Sequence, residues 1–221
     1  MQERLQIFCI GASTTYGVGG SKGGWPDLIK QRLHQKMYGS DLLGEMHEVY
    51  NLGVPGATIG DMLERVEVIL RTSRKPGRKV ITVLQGGANN AKAIDSPENF
   101  VSTPEEYKKE VLELLKIAQT ASDEVICLGL CPMDQSKVMP IIKDKEKNKK
   151  VYFPNDRIAQ FEKVLGGVAS SLGIMFLPLF DEAEAANWSK KYQFQDGIHP
   201  NDLGHEWLFQ KVWPQISSIV A

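Results

Sequence analysis

Five short apolar runs, each followed by a turn of small residues and then by a helical stripe, leave this chain few ways to fold. In the first, residues 4–10, Leu5, Ile7, Phe8, Cys9 and Ile10 are aliphatic, aromatic or thiol side chains with no helical period, the mark of a strand buried on both faces. The others run through 47–52, 80–84, 125–130 and 174–179. Between them lie helical patterns. Leu28, Ile29, Leu33 and Met37 follow Pro26, with Gly39 and Ser40 expected to end that helix. Ile59, Met62, Leu63, Val66, Ile69 and Leu70 form a stripe stopped by Pro76-Gly77. Thr103-Pro104-Glu105-Glu106 supplies a cap, a proline and an acidic first turn ahead of Val111, Leu112, Leu114, Leu115 and Ala118. Residues 155–172 carry Ile158, Phe161, Val164, Leu165 and Val168, and a last helix carries Leu203, Leu208, Val212 and Ile216, with Pro214 expected to interrupt or bend it.

Strand and helix alternating five times call for a parallel sheet covered on both faces. The 221 residues fit one domain, 1–221, with no internal repeat and no break in composition. The least regular stretch is 133–154. Within it, 143–150 holds five lysines against one Asp and one Glu, expected to be a solvated loop or a mobile rim over a site.

Charge excludes some functions. Lys and Arg number 26 and Asp and Glu 27, so no basic field draws the chain to nucleic acid or an anionic membrane. A strand begins soon after Met1, leaving no room for a signal peptide, and no apolar run approaches the ~20 residues that span a bilayer. Cys9, Cys127 and Cys131 make an odd count. Buried reduced thiols in a cytoplasmic protein are the expectation. Cys127 and Cys131 have no second cysteine pair to complete a zinc site.

Right-handed crossovers place every strand-to-helix loop on one edge of such a sheet, where open α/β folds bind ligands. Four chemically unusual segments converge there: Ser13, Gly53 to Thr58, Gly86 to Asn90, and Asp196 to His199. The Ser13 hydroxyl is a weak nucleophile until a base takes its proton. His199 can be that base, and Asp196, three residues earlier, can hold the other ring N–H and fix its tautomer. The N–H groups of Ser13 and Gly56, with the side-chain amide of Asn89, make a candidate oxyanion hole. Singly, each has a plainer role as a cap, a turn residue or a loop carboxylate; together on one edge they read as one site. Trp25 either walls an acyl pocket or is a core aromatic. His34, His47 and His205 lack ligand-like neighbours and are expected to be structural.

The order Gly11-Ala12-Ser13, Asn51-Leu52-Gly53-Val54-Pro55-Gly56-Ala57-Thr58, Gly87-Ala88-Asn89-Asn90 and Asp196-Gly197-Ile198-His199-Pro200 resembles the SGNH (GDSL) hydrolase family over nearly the whole chain. The resemblance implies a flavodoxin-like three-layer α/β/α sandwich with a five-stranded parallel sheet. It also implies a small-molecule ester substrate and no metal or cofactor. The family's nucleophile falls on Ser13, its base and orienting acid on His199 and Asp196, and its oxyanion hole on Ser13, Gly56 and Asn89. That family usually has Asp where Ala12 stands, and often Asp where Asn90 stands. Loss of the first carboxylate is expected to loosen the neighbouring loops and leave activity in place.

With no long apolar lid in the sequence, the expected substrate is a short or medium acyl ester of a soluble alcohol or sugar. A thioester, or acyl transfer to an acceptor, would use the same acyl-enzyme. A non-catalytic acyl or carbohydrate binder is the rival outside enzymology, but a binder needs no orienting carboxylate. A nucleotide-binding domain would need G-x-G-x-x-G or a Walker lysine, whereas the first turn reads Gly11-x-Ser13-x-x-x-Gly17. The elbow of α/β-hydrolases, G-x-S-x-G, fails at Thr15.

Overall fold

The computed structural model describes residues 4–39, 46–147 and 149–220. In chain order the elements are β1 (Leu5–Gly11), α1 (Ser13–Tyr16), α2 (Trp25–Tyr38), β2 (Glu48–Gly53), α3 (Ile59–Ser73), β3 (Lys79–Gln85), α4 (Ala88–Ala91), β4 (Ala93–Ile94) and α5 (Pro104–Ala121). They continue with β5 (Glu124–Leu128), α6 (Gln135–Val138), β6 (Ile141–Asp144), β7 (Lys149–Tyr152), α7 (Asn155–Ser171), β8 (Met175–Leu177), α8 (Phe180–Ala185), α9 (Trp188–Lys191) and α10 (Asp202–Val220).

The main sheet has five parallel strands in the order β2-β1-β3-β5-β8. β1 is buried along its whole length, flanked by β2 on one side and β3 on the other. Its side chains alternate between two cores. Phe8 and Ile10 join Met62 and Val66 of α3, Val111 and Leu115 of α5, and Phe161 of α7. Ile7 and Cys9 face the other way, onto Ile29 and Leu33 of α2 and Leu208 and Val212 of α10. The result is the three-layer α/β/α sandwich.

The helices begin where their caps dictate. Thr58 and Thr103 each accept the N–H three residues on, while Asp61 and Glu106 reach back to the cap N–H. Each such box contributes about 1 kcal/mol. Gly39 ends α2, its N–H on the Gln35 carbonyl, while Ser40 lies outside the described residues. Pro214 does not interrupt α10, which runs on to Val220. Burial of Val212 and Ile216 on either side of it offsets the missing backbone donor.

The lysine-rich stretch is not a loop. β6 and β7 form a hairpin that, with β4, makes a second antiparallel sheet in the order β4-β7-β6. Ile141, Val151 and Tyr152 supply the strand-forming residues, and Ile141 and Val151 pack on the main core. Lys145 and Lys147 stand in the turn, and Lys143, Lys149 and Lys150 stand on the strands.

Candidate active site

The first loop turns sharply because nothing larger than glycine fits at its start. A Cβ on Gly11 would lie 2.1 Å from Thr15 Oγ1 and 2.6 Å from the Gln85 carbonyl. Gly17, at φ +107, closes the single turn of α1 by donating to the Ser13 carbonyl. Ser13 is thereby held at the mouth of the sheet's carboxyl edge.

The fourth segment is a tight loop rather than the end of a strand. Phe194 donates to the His199 carbonyl at 2.7 Å and Gly197, at φ +74, to the Phe194 carbonyl at 3.1 Å. Asn201 clamps its base through the carbonyls of Lys191 and Gln193. Asp196 Oδ1 accepts the N–H of Ile198 and of His199, and its Oδ2 lies 2.7 Å from His199 Nδ1. The other ring nitrogen, Nε2, lies 2.8 Å from Ser13 Oγ. The carboxylate thus fixes the ring so that Nε2 faces the hydroxyl. Partial burial pushes the Asp196 carboxyl up. The hydrogen bonds from the His199 ring and the two N–H groups, with the ring's charge, outweigh burial and hold it below its ordinary value.

Gly56 sits at φ +85, with open space where a Cβ would stand. Among the described residues neither its N–H nor that of Ser13 has a protein acceptor. Asn89 donates one amide hydrogen to the Ala57 carbonyl at 3.0 Å, which leaves the other for the cavity it lines. Ser13, Gly56, Asn89 and His199 all border one cavity of about 360 Å³. Its wall is largely apolar, with Leu130, Met133, Phe153, Trp188 and Ile198.

Trp25 is not part of that wall. It is fully buried in the core beside Ile29 and Leu33, and its Nε1 donates to Gln85 Oε1 at 3.3 Å. Trp188 is the indole that borders the cavity. A tryptophan in a loop rich in small polar residues gave no sign of this, because its position depends on how 180–200 folds back.

Three polar residues support the loops, Asn90 and Glu162 buried and Asn51 partly buried. Asn90 Oδ1 accepts the Ile59 N–H, and its amide donates to Ser102 Oγ and Glu110 Oε2. Asn51 spans the first two loops, its amide on the Tyr16 carbonyl at 3.2 Å and its Oδ1 accepting the Gly53 N–H. Ala12, which carries no carboxylate to brace this edge, packs against the core instead. Glu162 accepts the backbone N–H groups of Leu130, Leu179 and Phe180, and so holds the Leu130 end of the cavity wall. Burial pushes its carboxyl above the ordinary value, against the pull of those donors. Asn51 and Asn90 lie within the quoted motifs; Glu162, on a helix face, carried no signal in the sequence.

The cysteines are free, Cys9 and Cys127 being buried and Cys131 partly buried at the cavity wall. Burial pushes the Cys131 thiol well up, so it borders the site as a neutral thiol. His205 is buried, its Nε2 3.1 Å from the Val18 carbonyl. Among the described residues no helix is long and apolar enough to cross a membrane.

The fold has relatives. A lipase/acylhydrolase from Enterococcus faecalis superposes with a TM-score of 0.72 at 19% identity, over 98% of this chain and 97% of that one. An acetylxylan esterase from Geobacillus stearothermophilus, solved as a catalytic mutant, gives 0.67 at 16% identity, over 98% of this chain and 95% of its own. By sequence the chain is 22% identical over 206 residues to isoamyl acetate-hydrolyzing esterase 1 homolog of Rattus norvegicus, covering 90% of this chain and 77% of the rat protein. The model of the GDSL-like Lipase/Acylhydrolase family matches residues 9–207, a span that takes in all four loops of the sheet edge. The chain belongs to that family and is a serine carboxylic-ester hydrolase.

Proposed function

We infer that this hydrolase works through an acyl-enzyme on Ser13 and cleaves short to medium acyl esters of a soluble alcohol or sugar. The observation that carries the reading is the unbroken chain Ser13–His199–Asp196, two hydrogen bonds of 2.8 and 2.7 Å. His199 Nε2 takes the hydroxyl proton as Ser13 Oγ attacks the ester carbonyl. The negative oxygen of the tetrahedral intermediate is met by the N–H groups of Ser13 and Gly56 and by Asn89 Nδ2. His199 then passes its proton to the departing alkoxide, which leaves as the alcohol. Water, deprotonated by the same nitrogen, releases the acid and restores Ser13.

The small cavity, about 360 Å³ and near the lower end for ligand sites, supports a short acyl group. So do the names of two similar proteins, one an isoamyl acetate-hydrolyzing esterase homologue and one an acetylxylan esterase, both of which specify acetate esters. The test is a chain-length series of chromogenic acyl esters beside acetylated sugars, with products analysed in the presence and absence of an acceptor alcohol. Highest kcat/KM at two to six acyl carbons, by the capacity argument above, is the expected result. A maximum at long chains would overturn the substrate class, and an acylated alcohol as the main product would make the enzyme a transferase.

A further inference from the structure

Among the described residues, the lysines that border the cavity are Lys92 and Lys143, and no carboxylate borders it. Among the described residues neither ammonium has an ion pair or a hydrogen-bond acceptor. Lys92 follows the last residue of α4, three positions after Asn89, a spacing that puts both on one side of a single helical turn. Lys143 lies in β6 at the point where pairing with β7 slips. Ile142 faces Lys150 and Asp144 faces Lys149, so Lys143 has no partner across the ladder. Bulges of this kind re-aim a side chain and recur beside binding sites. Ile141 packs toward the core, whereas Ile142 and Lys143 are exposed, and Lys143 borders the cavity.

Lys92 is half-buried, and the two ammonium groups repel each other. Burial pushes Lys92 down from its ordinary value; Asp61 pulls the other way, and the smaller effect of the Lys143 charge adds to the push. Asp61 is itself engaged in capping α3 through Thr58. The desolvation of Lys92, beside a second ammonium group at the same cavity, costs free energy that a bound anion recovers. The excess is local to this rim. The chain as a whole carries 26 basic and 27 acidic residues, yet 143–150 holds five lysines against Asp144 and Glu146.

We propose that the cavity selects esters that carry an anionic group, a carboxylate, phosphate or sulfate, bound by the ammonium groups of Lys92 and Lys143. The assignment rests on the ester-hydrolase reading of Ser13 and names its substrate class. Neither lysine takes part in the bond-making steps; both act on which ester is held.

Paired esters that differ in charge test this. Para-acetoxybenzoate and its methyl ester place the anion on the alcohol side. The mono-para-nitrophenyl ester of adipic acid, beside para-nitrophenyl hexanoate, places it on the acyl side. The wild-type enzyme is expected to favour the charged member of at least one pair by about tenfold in kcat/KM, a preference that fades as salt is raised. In the double variant Lys92→Gln, Lys143→Gln the charged-to-neutral ratio falls to about one. Preference for the neutral member in both pairs overturns the proposal, as does an equal loss on both members, which a merely structural role would give. Calorimetric binding of the same compounds to the Ser13→Ala variant reads the lysines without turnover. Tighter binding of a charged ester, lost on adding the two lysine substitutions, supports the anion site even where hydrolysis itself fails. Equal binding of charged and neutral members overturns it.

Discussion

Asn90 Oδ1 accepts the backbone N–H of Ile59 at 2.9 Å, and this bond ties the loop of Asn89 to the loop of Gly56. Both loops present candidate oxyanion donors, so their spacing depends on a side chain that touches neither substrate nor Ser13. Asn90→Ala leaves the Ile59 N–H buried without its acceptor. The expected cost is about 1–3 kcal/mol in urea unfolding, with a fall in kcat larger than any rise in KM.

Ser13→Ala is expected to lower ester turnover by about 10⁴- to 10⁶-fold. Its side chain makes one hydrogen bond, to His199, and caps no helix, so the melting temperature should hold. Mass spectrometry of a fluorophosphonate adduct on wild-type Ser13, absent from the variant, checks the same assignment independently of rate.

Asn89→Ala removes one donor that matters most as charge develops. A fall in kcat of about 10²- to 10³-fold with little change in KM is expected. A rise in KM at constant kcat would make Asn89 a substrate-binding residue instead.

Asp196→Asn keeps the shape of the loop but removes the charge that faces the imidazole and favours the wrong tautomer. Its kcat should fall strongly, though less than that of His199→Ala. The carboxyl is held below its ordinary value in the folded chain. Its contribution to stability is therefore fully present above the unfolded value, near ~3.9, and is lost as pH falls through the lowered folded value. The gap in melting temperature between wild type and Asp196→Asn should stay level from neutral pH to about pH 4 and close below it.

Burial holds His205 below its ordinary value, while the Val18 carbonyl and Asp202 pull upward. As pH falls from the histidine reference of about 6.5, the unfolded chain takes up a proton that the folded chain refuses, so stability falls. Thermal melts between pH 7 and pH 5 should show a decline that His205→Gln lacks.

The sheet, its helices and the four loops were legible because each rests on local chemistry: apolar runs, capping boxes and glycines at forced turns. Ser13, Gly56 and Asn89 could be placed on one edge from topology, and Asp196 and His199 reach it on the loop that follows α9. What could not be read depends on packing between distant segments. Trp25 and Trp188 are alike as letters, and the cavity takes the second because α9 folds back over the edge. The 143–150 lysines obscured a hairpin whose strand-forming residues stand only at its ends. Pro214 reads as a helix breaker until the burial of its neighbours is known.

The contact between Ser13 and His199 joins segments far apart in the chain. Ser13 follows the fully buried strand β1, whereas His199 arrives on a loop that leads directly into α10, which packs on α2. The five strands of the main sheet are complete by Leu177. Local opening of a terminal segment costs less than global unfolding. Release of α10 therefore carries His199 away from a sheet that is still paired. Heating should silence turnover before it erases the strand signal in circular dichroism, and a protease nick between 186 and 201 should leave a body that is folded and inert.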